Sequence, residues 1–175
     1  MRPDAARSRT ESHHESHQSH EGSGSVIELT ARIGHDDYFP QIPPGEYEVG
    51  YVRAKRLPMW GRPRWAITFQ VVKDGPAFGT HLVLWVPAVP KGKRPSPGMA
   101  MASLYVIATG LPPPRDLWRR KPREILSDCY FRARVVMARR DSRRVERPEA
   151  ASYSKIECLL ERTAGTPPLL RGRTG

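Results

Sequence analysis

No unbroken apolar run in the 175 residues exceeds five, whereas a helix that crosses a bilayer needs about 20. The first residues hold no apolar stretch of the secretory kind, so the expectation is a cytoplasmic protein that neither spans nor crosses a membrane. Cysteine is nearly absent. Cys129 and Cys158 are the two present, and in that compartment they are expected to stay thiols rather than pair. Catalytic signatures are missing as well: there is no G-x-x-x-x-G-K-[ST], no G-x-S-x-G, no H-E-x-x-H and no paired C-x-x-C. The expectation is a protein that is not an enzyme and carries no cofactor.

Acidic residues are few where basic ones are dense. From residue 91 to 147, 15 Lys and Arg face 5 Asp and Glu, while the rest of the chain is close to balance and the net charge is +11. Of the 29 basic residues, 23 are Arg, whose planar fork suits phosphate and stacks on rings. An acidic polymer is therefore the first partner to expect.

The organisation follows from composition. Residues 1–25, rich in Ser, His and Glu, have too little apolar surface to offset ordering and read as a disordered tail. His13, His14, His17 and His20 could gather on a metal, but a flexible tract must first be ordered and no second cluster completes a site. Residues 26–42 form a lead-in, 43–162 the folded domain, and 163–175 a flexible end. Eighteen Pro and fourteen Gly favour strands and turns over a helical bundle.

Within the domain, Tyr47, Val49 and Tyr51 share one face of a first strand that runs to about Arg56. Trp65, Ile67, Phe69 and Val71 alternate with Ala66, Thr68, Gln70 and Val72 in a second. A third strand from Phe78 to Val86 sets Leu82, Leu84 and Val86 opposite Val83 and Trp85. "LPMWGRP" and "DGPAFG" join them as hairpin loops. Met99 to Thr109 reads as a helix with Ser96 as N-cap, Pro97 at its first position, and Gly110 with Pro112, Pro113 and Pro114 as its stop. Met101, Leu104, Tyr105 and Ala108 lie on its core face, and a further helical turn is expected at Arg123 to Leu126. A fourth strand, Tyr130 to Arg140, places Phe131, Ala133, Val135 and Met137 inward. A fifth, Ser152 to Leu160, does the same with Ile156, Cys158 and Leu160. The resulting expectation is a mainly β protein, an OB-fold-like five-stranded antiparallel barrel with one helix between strands three and four. An open α+β sheet is the alternative.

An OB-fold binds ligands across strands two and three, between the first hairpin loop and the loop joining strands four and five. Here the first loop carries Arg53, Lys55, Arg56, Arg62 and Arg64 around Trp60, and the second carries Arg139, Arg140, Arg143, Arg144 and Arg147. Single-stranded nucleic acid needs a positive groove for its phosphates and exposed rings on which bases stack. Trp60 is the sharpest candidate, because a ring between Met59 and Gly61 has no regular element to bury it; the competing reading is a plug over the barrel mouth. Trp85 could present a second ring or pack beneath the helix, and Tyr130, Arg132 and Arg134 extend the basic track. Trp65 reads as core and Trp118 as an anchor for its connection.

The stretches "PPGEYEVGYV", "MWGRPRWAITFQVV", "GPAFG" and "FRARVV", the last followed by a basic hairpin, resemble small proteins encoded on bacterial integrative elements and phages. The likeness covers about residues 38–160, and the arrangement is similar to phage-type single-stranded DNA-binding OB-fold domains. It implies a non-catalytic DNA-handling role with single-stranded DNA, or RNA, as the partner. The rival readings are a protein-interaction module that contacts a host or element protein through the Trp60 loop and "LPPPRDLW", and a metal-dependent enzyme built on His35, Asp36 and Asp37.

Overall fold

Alternation of apolar residues along "RWAITFQV" makes an interior strand of the sheet, paired on both of its edges. The computed structural model describes residues 40–59, 61–139, 145–146 and 151–171. Its elements are β1 (Gly45–Met59), β2 (Arg62–Val71), β3 (His81–Pro87), α1 (Ala100–Thr109), a 3-10 turn (Leu117–Arg119), α2 (Pro122–Leu126), β4 (Cys129–Ala138), β5 (Tyr153–Gly165) and α3 (Pro168–Arg171). The five strands form one antiparallel sheet in the order β3-β2-β1-β4-β5. The sheet is open: β3 and β5 come near one another, but no ladder joins them among the described residues. The expected mainly β class with an antiparallel five-stranded sheet is present. No helix is long and apolar enough to cross a membrane among the described residues.

β1 belongs to both halves of the sheet. Its first part, Gly45 to Gly50, pairs with β4, and its later part, Val49 to Met59, pairs with β2. A β-bulge between Tyr51 and Arg53 makes Val52 an extra residue. Such an insertion bends the strand and shifts its side-chain alternation by one. Tyr51, opposite Phe69, and Ala54, opposite Ile67, therefore both face the core, and Arg53 turns outward.

The core fills with residues that alternation along each strand delivers. Ile67 and Phe69 of β2, Leu82 of β3, Phe131 of β4 and Ile156 of β5 are all at least 98% buried, each contributing roughly 1.5 to 3 kcal/mol through burial. Phe69 meets Tyr51 and Phe131 edge-on, at ring-centre distances of 6.2 and 6.1 Å. The helices close this face. α1 buries Met101, Leu104, Tyr105 and Ala108, α2 buries Ile125 and Leu126, and Leu117 of the 3-10 turn joins them.

Several local expectations are corrected. Residues 96–98 do not enter the helix: Met99, not Ser96, is the N-cap residue of α1, and the Met99 N–H donates to the Ser96 carbonyl at 3.0 Å in a turn before it. Gly110 does end the helix, left-handed at φ 70°, with its N–H on the Val106 carbonyl, a conformation that suits glycine. Phe78 lies in the β2–β3 turn, 61% exposed, and β3 begins only at His81. In β5 it is Ile156 and Leu159 that are buried, not Ile156, Cys158 and Leu160. Three register shifts along the β4–β5 ladder break the alternation there. Near the end of β4 the buried position likewise moves from Met137 to Ala138. Both cysteines are free thiols.

The residues before β1 are tied to β5. The Ser154 hydroxyl donates to the Ile42 carbonyl at 2.8 Å and accepts from the Ile42 N–H at 2.9 Å, and the Ser154 N–H donates to the Pro40 carbonyl.

Candidate functional site

The register defines what stands on the outward face of β1–β2–β3. Directly opposite residues share a face, so Arg53 stands with Thr68 and Val83, Lys55 with Ala66 and Trp85, Leu57 with Arg64 and Pro87, and Met59 with Arg62. Leu57, Ala66 and Val83 are buried and form a second apolar cluster, separate from the main core, against which Met59 and the half-buried Trp85 pack. The outward face thus combines this apolar cluster with an indole on the edge strand β3, and Arg53, Lys55, Arg62 and Arg64 stand among and beside them. No Asp or Glu occupies any register position of this face among the described residues.

The β1 hairpin carries part of this surface beyond the sheet. Met59 pairs with Arg62, so the connection between β1 and β2 is two residues and not the longer loop that "LPMWGRP" suggests. Gly61, at φ 70°, supplies the left-handed position that two-residue hairpin turns demand. Prolines 58 and 63 stand opposite one another just below.

The outward face of β4 is chemically different. Arg132 and Arg134 are exposed there, but across the ladders they meet carboxylates. Arg132 lies 3.0 Å from Glu161 and 3.6 Å from Glu46, and Arg134 lies 3.7 Å from the same Glu46. Glu48 accepts a 2.8 Å hydrogen bond from the Thr163 hydroxyl. These are half-exposed pairs worth little in stability, yet they offset the positive field that a phosphate would meet. Tyr130 sits at the margin between the two regions. It pairs with Gly50, and a Cβ on Gly50 would come within 3.2 Å of the Tyr130 ring, so the absence of a side chain there lets the exposed ring lie over β1.

The fifteen residues assigned to nucleic acid from the sequence are therefore not one surface. Arg53, Lys55, Arg62, Arg64 and Trp85 come together, while Arg56 faces the other side, opposite Trp65 at the end of the core. Tyr130, Arg132 and Arg134 form the neighbouring β4 patch, and Arg139 is exposed just after β4. Trp60, Arg140, Arg143, Arg144 and Arg147 lie outside the described residues, as do His35, Asp36, Asp37 and the His-rich tract. Among the described residues no three His, Cys, Asp or Glu side chains are grouped closely enough to hold a metal ion.

Trp65 packs half-buried against the main core, and Trp118 is half-buried with the Arg119 guanidinium 4.8 Å from its ring centre. The sequence reading missed the apolar cluster of Leu57, Met59 and Val83, whose signal was the regular spacing of Leu57 and Met59 beyond the expected end of β1. Compared with protein-family models, with curated proteins and with solved structures, the chain matches none.

Proposed function

We propose that the protein binds single-stranded nucleic acid, DNA ahead of RNA, on the outward face of β1–β2–β3, without catalysis and with weak sequence preference. One observation carries this reading: an indole, Trp85, packs on an apolar cluster among basic residues, on a face where no Asp or Glu holds a register position among the described residues. Bases stack on such rings, each stacked base being worth roughly 1 to 3 kcal/mol, while Lys and Arg follow the phosphates. Trp60, next in the chain after Met59, is the second candidate ring.

The strand order supports the finer fold assignment that goes with this function. β3-β2-β1-β4-β5, with α1 between β3 and β4, is the order of an OB barrel opened between its third and fifth strands. The face of strands two and three is where OB-folds bind oligonucleotides. A DNA-handling role of the kind that mobile elements encode fits both.

The test is fluorescence anisotropy of a labelled oligo(dT) against wild type and Lys55→Ala at several salt concentrations. The logarithm of the affinity should fall linearly with the logarithm of salt, with a slope of about −0.7 for each phosphate neutralised, and the exposed Lys55 should account for about one such unit. Absence of binding at low salt rejects the proposal and leaves a protein partner as the explanation of the basic charge.

A further inference from the structure

A groove of about 520 Å³ opens between β1 and the start of α2, with Tyr51, Arg53, Trp65, Lys121, Arg123 and Asp128 in its walls. Its size falls within the roughly 300 to 1,000 Å³ of small-ligand sites. Two features of the chain create it. The bulge at Val52 distorts β1 here, and Pro122, buried at the start of α2, holds the exposed Lys121 and Arg123 at the opposite rim.

The lining has the chemistry of a phosphate site. Three cations stand against a single carboxylate, Asp128, which leaves an excess of positive charge. Burial pushes the Tyr51 hydroxyl above its usual range, against a smaller opposing pull from the charge of Arg123. At neutral pH that hydroxyl is therefore a protonated donor. A phosphate monoester is close to a dianion at pH 7, its second pKa being about 6, and charge-assisted hydrogen bonds from Arg and Lys hold such groups best. Trp65, half-buried, offers an apolar wall for a sugar or base.

Arg53 belongs to two surfaces at once. It lines the groove, and by register it stands on the outward face of β1–β2–β3 beside Thr68. Arg53 is thus the point at which a strand on that face would meet the groove.

We infer that this groove receives the terminal phosphate monoester of a nucleic-acid strand bound on the outward face of β1–β2–β3, so that the protein reads strand ends. The inference rests on the function proposed above. A strand has direction, and in a fixed orientation it presents one end to the groove; a general attraction to charge would favour both ends alike.

Three labelled oligo(dT) strands of equal length distinguish these cases: one with a 5′-phosphate, one with a 3′-phosphate and one with hydroxyls at both ends. Each is titrated into the full chain and into Lys121→Ala/Arg123→Ala, whose altered side chains are exposed, with no side-chain cap from Lys121 on α2. Wild type should bind one of the phosphate-ended strands about tenfold more tightly than the other two strands, the effect of a charge-assisted hydrogen bond. The variant should bind all three alike, with an unchanged circular-dichroism melt. Equal affinity of wild type for the two phosphate-ended strands, or a preference that survives in the variant, overturns the inference and leaves strand binding intact. If no strand binds, whatever its ends, the inference and the proposed function fall together.

Discussion

Arg132 and Glu161 meet at 3.0 Å across the β4–β5 ladder, with Glu46 on the other side of the same guanidinium at 3.6 Å. The outer surface of the sheet is thereby divided: basic residues of β4 face carboxylates, and basic residues of β1 and β2 stand among and beside an apolar cluster. Binding energy should divide the same way. Trp85→Ala is expected to weaken oligo(dT) binding about tenfold or more, the loss of one stacked base. Arg134→Ala should change it by less than about threefold, because Glu46 already offsets its charge. Anisotropy titrations of both variants at one salt concentration decide this, and equal losses would contradict the division.

Gly165 should be intolerant of any side chain. It pairs with Cys129 in the β4–β5 ladder at φ 84°, and a Cβ there would collide with the Asp128 carbonyl oxygen. Asp128 is itself left-handed at φ 60°, so the backbone on both sides of the contact is constrained and has little room to yield. Gly165→Ala is expected to lower Tm by about 2 to 12 °C, from roughly 1 to 3 kcal/mol of strain in a chain of this size. Gly98→Ala, at a position with open space around it, should leave Tm within about 2 °C in the same thermal melt.

The strands and the long helix were legible in the sequence because their apolar residues keep a regular period. Leu82, Leu84 and Val86 face the core as the pattern of β3 requires, and Met101, Leu104, Tyr105 and Ala108 do so along α1. What escaped were the places where pairing breaks the period. A bulge is a property of two strands, and one strand's sequence records it only as a misplaced residue. In "YVRA" an unbroken alternation would send Arg53 inward beside Tyr51, and that conflict is the trace of the bulge. β5 carries three such breaks, which is why Leu159 and not Leu160 is buried. The candidate site was legible in the residue types of Arg53, Lys55, Arg64 and Trp85. It was not legible in its limits, since the carboxylates that meet Arg132 and Arg134 come from β1 and β5, whose register with β4 no local pattern states.

The alkaline limb of stability should depend on Tyr51. Burial raises its pKa above the model-compound value of 10.0, so above pH 10 the unfolded chain releases this proton while the folded chain retains it. The folded state then binds more protons than the unfolded state, and unfolding free energy falls as pH rises. Stability that is fully present below about pH 10 should be lost as pH climbs through the folded-state value. Tyr51→Phe cannot ionise and should show a shallower decline in urea unfolding midpoints above pH 10 than wild type. Parallel declines would mean that Tyr51 titrates alike in both states. Arg123→Ala, which removes the opposing charge, should move phenolate formation at Tyr51 to still higher pH in an ultraviolet absorbance titration.

If carboxylates are what keep the β4 face from nucleic acid, removing them should recruit it. Glu46 contacts both Arg132 and Arg134, and Glu161 contacts Arg132 more closely still. All four side chains are about half exposed, so Glu46→Gln/Glu161→Gln should leave the fold and its melt essentially unchanged, surface pairs of this kind being worth about 0 to 1 kcal/mol. The same change removes two negative charges beside two guanidinium groups. Oligo(dT) affinity at low salt is then expected to rise, and the salt slope to steepen by about 0.7 for each Arg newly placed on a phosphate. A strand long enough to reach both faces should show the gain, and one that covers only the β1–β2–β3 face should not. A gain of equal size for both lengths would point to a general change in net charge and against a second track along β4.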